Sequence, residues 1–154
     1  MSVEKYVRDI VEGMGLDYLC ESYARANVAF DRYKRRANKR VTATDGHRLP
    51  ACLFVQPAAG TMNVAPRGVV TDAPACLVCF ADEMPLDYTG EEAQNVSDRL
   101  RAMAEEFVRR VNRSATLKPV TGSVGYRVAF DSMDANLCTV TLSLTLEEAI
   151  GRCI

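Results

Sequence analysis

The sequence predicts an α+β domain, a mixed, mainly antiparallel sheet of about four strands with two helices packed on one face. Three observations lead there. In residues 89–113, Ala93, Val96, Leu100, Met103, Phe107 and Val111 recur at steps of three or four, which puts them on one stripe of a helix. Residues 137–146 alternate instead, Val140, Leu142, Leu144 and Leu146 against Thr139, Thr141, Ser143 and Thr145; this is the period of a strand with one buried and one wet face. Two apolar runs, LPACLFVQ at 49–56 and PACLVCFAD at 74–82, have the length of strands buried on both faces and therefore central in a sheet.

Taken in order, the chain opens with an amphipathic helix at about 2–14. Val3, Tyr6, Val7, Ile10, Val11 and Met14 follow a Ser2 cap, and Gly13 and Gly15 end the run. Between 16 and 30 the pattern is mixed: LDYLCES reads as a strand, and YARANVAFDRYKRR as a helical turn or two running into a loop. A basic loop follows at 32–48. The stretch 57–73, between the two central strands, is punctuated by Gly60, Pro66 and Gly68. A connection of that length within a compact domain is a functional loop or an extended hairpin arm. The major helix has Thr89 and Glu92 in capping-box register, acids in its first turn and Arg109, Arg110 and Arg113 at its end, matching the helix dipole at both ends. A short apolar run, 117–120, comes next. Tyr126, Val128 and Phe130 then alternate like the last strand, and DSMDAN between them is turn chemistry, so 124–146 is expected to be an antiparallel hairpin.

With 154 residues, 48% of them hydrophobic, the chain is long enough for one well-cored domain spanning 1–154. Its 19 basic and 20 acidic side chains nearly cancel, so no overall field steers it toward nucleic acid or an anionic membrane. No apolar run approaches the roughly 20 residues a membrane helix needs. The charges in SVEKYVRDIVEGMG interrupt what would be a signal peptide's core, so the chain is expected in the cytoplasm of the cell that makes it.

The six cysteines, Cys20, Cys52, Cys76, Cys79, Cys138 and Cys153, read as reduced thiols, several of them inside apolar runs where they pack as small hydrophobes. Cys76 and Cys79 form a C-x-x-C, but residues three apart on a strand face opposite ways and cannot share a metal. His47 is the single histidine. It sits in the polar loop TDGHR, so no histidine-based metal site or triad can be built within the chain. Asp131 and Asp134 lack the register of a calcium loop. Asp82, Glu83 and Asp87 would serve a hydrolase if they converged, although they also suit the approach to a helix N-terminus. No phosphate loop or nucleophile-elbow motif occurs. The six tyrosines are scattered and form no stacking platform. The sequence therefore carries no catalytic, cofactor or metal assignment. One charged block stands out: Arg32, Lys34, Arg35, Arg36, Lys39 and Arg40 form either a solvated loop or a contact to DNA or an acidic partner.

The phrases RANVAFDR, LPACLFVQPAAG, ACLVCFADEMPLDYTGEE, MAEEFVRRVNRS and YRVAFDSMDANLCTVTLSLTLEE cover most of the chain. With the element order, they resemble the tail-terminator and tail-completion proteins of tailed bacteriophages and prophage-like elements. The resemblance implies a small α+β domain that closes into a ring-like homo-oligomer at the head-proximal end of a tail, without enzymatic activity, cofactor or small-molecule substrate, in the host cytoplasm or the virion. Its partners would be copies of itself and other tail or head-tail proteins. On that reading the 57–73 segment is the intersubunit arm, with Met62, Val64, Arg67, Val69 and Val70 as its contact residues, and the basic block faces a neighbour's acids or the DNA path. The block and the polar stretch behind it are longer than such proteins usually carry there. The alternative expectation is a nucleic-acid-binding module built on the same block.

Overall fold

Both apolar stripes fold as helices. In the computed structural model, which describes residues 2–22, 25, 49–84, 87–132 and 137–149, α1 spans Ser2–Gly13 and α2 spans Gly90–Arg113. Thr89 caps α2: its hydroxyl oxygen accepts from the Glu92 backbone N–H at 3.2 Å, and the Glu92 carboxylate folds back onto the same hydroxyl at 3.3 Å. Such a cap contributes about 1 kcal/mol. The buried side of α2 is the predicted stripe with Ser97 and Ala104 added. Ser97 is tolerated there because its hydroxyl donates to the Gln94 carbonyl one turn back, at 3.2 Å. Met103 is only half-buried but packs on the same core.

Among the described residues the sheet has six strands: β1 Asp17–Glu21, β2 Ala51–Val55, β3 Gly60–Val64, β4 Val70–Glu83, β5 Gly125–Ser132 and β6 Leu137–Thr145. They run in the order β1-β2-β4-β6-β5, with β3 paired to β4 off that path. β1 lies parallel to β2 and every other pairing is antiparallel, so the sheet is mixed as expected. The four expected strands are β2, β4, β5 and β6. β1 settles the mixed segment after α1, at least through Glu21, as a strand. β3 is additional, and all five of its residues are exposed, so no burial pattern announced it. β4 also begins earlier than its apolar run implied. Pro74 reads as a boundary, yet it stands one residue outside the β6 ladder, which starts at Ala75, where a missing N–H is tolerated.

Alternation along the strands builds two cores. On one face, Cys52, Phe54, Cys76, Val78, Phe80 and Val140 meet Val3, Val7 and Val11 of α1 and the stripe of α2, so both helices cover the same face. Phe80 and Phe107 meet edge to face, with centroids 5.8 Å apart. On the other face, Leu19, Ala51, Leu53, Cys79, Ala81 and Leu137 form a smaller buried cluster. Cys76 and Cys79 thus lie on opposite faces. Cys20, Cys52, Cys76, Cys79 and Cys138 are free thiols, and burial pushes Cys76, Cys79 and Cys138 up to about 11, which keeps them protonated and unreactive. Among the described residues no helix is long and apolar enough to cross a membrane.

Phe107 is fully buried and joins α2 to β4. Phe107→Ala is expected to cost roughly 3–5 kcal/mol, read as a lower urea midpoint with an unchanged slope.

Candidate functional site

β4 is flanked by β6 from Ala75 to Glu83 and by β2 from Leu77 to Ala81. Its first five residues run on past both and pair only with β3. Residues 60–74 therefore form a two-stranded arm projecting from the end of the sheet. The turn is closed by two 2.8 Å bonds, from the Ala65 N–H to the Val69 carbonyl and from the Gly68 N–H to the Ala65 carbonyl. Gly68 sits at φ +83°, a conformation that costs other residues about 1–2 kcal/mol.

The arm has two different faces because strand side chains alternate. Asn63 and Thr71 pair on one face, next to Thr61 and Ala73. This face is clamped by Glu147, just past β6. The Thr71 hydroxyl donates to Glu147 Oε1 at 2.8 Å, and Lys118 Nζ lies 2.9 Å from the same oxygen. Hydrogen bonds from Lys118, then from Asn63 and Thr71, hold the Glu147 carboxyl down at about 2. Residues 116–118 and 147–149 in turn pair through the Lys118 N–H to the Glu147 carbonyl, 2.8 Å, and the Ala149 N–H to the Thr116 carbonyl, 2.9 Å. The arm is thereby tied to the body at its base.

The other face is unclamped and apolar. Met62 is 74% exposed, Val64 69%, Val70 55% and Val69, at the turn, 49%. Val64 lies opposite Val70, and Asp72 opposite Met62, while Arg67 is exposed in the turn. The five residues expected as an intersubunit contact are thus brought together on one projection. Sequence reasoning missed Asp72, Asn63, Thr71, Lys118 and Glu147. The alternation in T-M-N-V was the available signal for two-facedness, but nothing local links it to Glu147.

A second concave surface lies between α2 and the edge strand β5. It is a cavity of about 590 Å³, with Ala104, Val108, Val124, Val140 and Leu142 inside and Tyr126 at its wall. Asp98, Arg101, Glu105 and Arg109 stand around it. Another cavity, about 580 Å³, lies under the β2–β3 connection and is lined by Pro57, Ala58, Ala59, Cys76 and Leu144 among others.

Asp82, Glu83 and Asp87 line neither cavity. Asp82 accepts from the Glu83 N–H at 2.8 Å and lies 3.9 Å from Arg99, while Glu83 and Asp87 are exposed. Among the described residues no group of three or more His, Cys, Asp or Glu could hold a metal ion. Arg32, Lys34, Arg35, Arg36, Lys39 and Arg40, together with His47, Asp134 and Cys153, lie outside the described residues.

Two consequences can be measured. A Cβ at residue 60 would stand 2.7 Å from the Pro74 Cα and 2.9 Å from the Ala73 carbonyl oxygen, both backbone atoms that cannot swing away. Gly60→Ala is therefore expected to raise hydrogen-exchange rates in residues 60–74 while leaving α2 protected. Glu147 titrates near 4.5 when unfolded and near 2 when folded, so its contribution is complete above about 4.5 and lost as pH falls through 2. Glu147→Gln should lower the urea midpoint at pH 7, and its difference from the parent should close between pH 4.5 and 2.

Compared with known proteins, the chain matches no family model, no curated sequence and no solved structure.

Proposed function

We propose that the chain is a non-enzymatic structural protein of a phage or prophage tail, of the tail-terminator kind. It assembles into a ring-like homo-oligomer through the 60–74 arm and contacts neighbouring tail or head-tail proteins. One observation carries the self-association: Met62, Val64, Val69 and Val70 are held in water on a projection whose opposite face is clamped by Glu147. Exposed apolar side chains gathered on one surface mark an interaction site, and burying them gains about 25 cal/mol per Å². A fixed arm also loses less conformational entropy on docking than a mobile loop. The tail assignment draws on the resemblance of the phrases along the chain, which flank the arm on both sides.

The triple variant M62T/V64T/V70T removes the apolar face and keeps strand propensity. In sedimentation velocity the parent should form larger species as concentration rises, while the variant stays at the 17.0 kDa monomer with an unchanged unfolding midpoint. A parent that is monomeric throughout, or a variant that assembles like it, overturns the self-association. The tail role is tested separately by mass spectrometry of tail particles purified from cells carrying the gene, and absence of the chain from those particles overturns that role.

A further inference from the structure

Two surfaces on this molecule complement each other, and they lie toward opposite edges of the sheet. The arm leaves β4 on the side occupied by β2: the Ala75 N–H points to the Ala59 carbonyl, while the Pro74 carbonyl points the other way, to Leu146. The groove lies beyond β6, against β5 at the far edge. An arm that meets a groove therefore joins two copies head to tail, a heterologous contact that leaves one arm and one groove open for the next copy.

The chemistry of each surface fits the other. Inside the groove the lining is aliphatic, as is the free face of the arm. Tyr126 is 56% exposed at the groove wall, the amphipathic ring type enriched where interfaces form. The charges also match. Arg101 gives one guanidinium N–H to Asp98 and its side chain is 35% exposed, so the guanidinium still offers N–H groups to an incoming acceptor. The arm carries one in the right setting: Asp72 is exposed, on the same face as Met62, Val64 and Val70.

We infer that the groove between α2 and β5 is the receptor for the arm of a second copy, with Met62, Val64 and Val70 entering it and the Asp72 carboxylate accepting from Arg101. This rests on the self-association proposed above and adds its second half, the surface the arm contacts.

A mixing experiment tests it. The arm variant M62T/V64T/V70T lacks the plug, and Ala102→Arg, an exposed position on α2 that lines the groove, blocks the socket. Tyr126→Ser serves as a second socket variant should the first lower the unfolding midpoint. Each variant alone should sediment as a monomer. An equimolar mixture should form a dimer and nothing larger, because only one intact plug and one intact socket remain. Asp72→Asn should weaken parent assembly by about tenfold, the scale of a hydrogen bond between charged groups.

If both socket variants assemble like the parent while the arm variant does not, the arm contacts something else, such as another arm, and this inference falls although self-association stands. A monomeric mixture overturns it as well. A parent that never assembles removes both.

Discussion

The length of β4 is the constraint on which the rest depends. It runs for 14 residues, whereas β2 has five and β6 nine. A strand's backbone cannot be left unpaired without cost unless water reaches it, so the excess must find a partner. β3 provides one by continuing from β2 in the same direction along the overhang, before the turn at 65–69 brings the chain back into β4. Gly60 permits the close approach at the point where the partnership changes, because only a residue without Cβ fits against the Pro74 and Ala73 backbone. The arm is thus the part of the central strand that neither helix-covered core nor sheet neighbours reach, stiffened by a two-strand ladder and by Glu147.

The parts of the fold legible in the sequence were those whose burial has a short period. α2 could be read because each of its core residues lies within one turn of the next, and its cap because Thr89 and Glu92 are three residues apart. β6 could be read because Thr and Leu alternate along it. The C-x-x-C could be dismissed from strand geometry, and Cys76 and Cys79 do occupy different cores. The parallel pairing of β1 with β2 was not legible, since it joins segments separated by about thirty residues and leaves no local trace. β3 hid for a different reason: a fully exposed strand has no burial pattern to show.

The same division explains what could be read of the candidate site. The exposed residues of the arm were named because a long interval between two buried strands had to be a functional loop or a hairpin. Its clamp joins Thr71 to a residue 76 positions away, and no spacing rule reaches that far. The groove was invisible because Tyr126, Val128 and Phe130 alternate as a half-buried strand would, yet β5 ends up at a sheet edge where Tyr126 and Phe130 remain exposed. Edge position is a property of the strand order, and the order is set by contacts along the whole chain.

The outer edge of β3 has one more consequence. Its five residues, GTMNV, include no charge and no proline, the devices by which edge strands commonly repel one another, and no described strand pairs with that edge. Glu147 ties the ladder to the body of the domain through Thr71 and Lys118. Such an edge leaves backbone N–H and C=O groups open to pairing with another strand. Raising the concentration of chains that present such an edge therefore favours edge-to-edge pairing over the separated state.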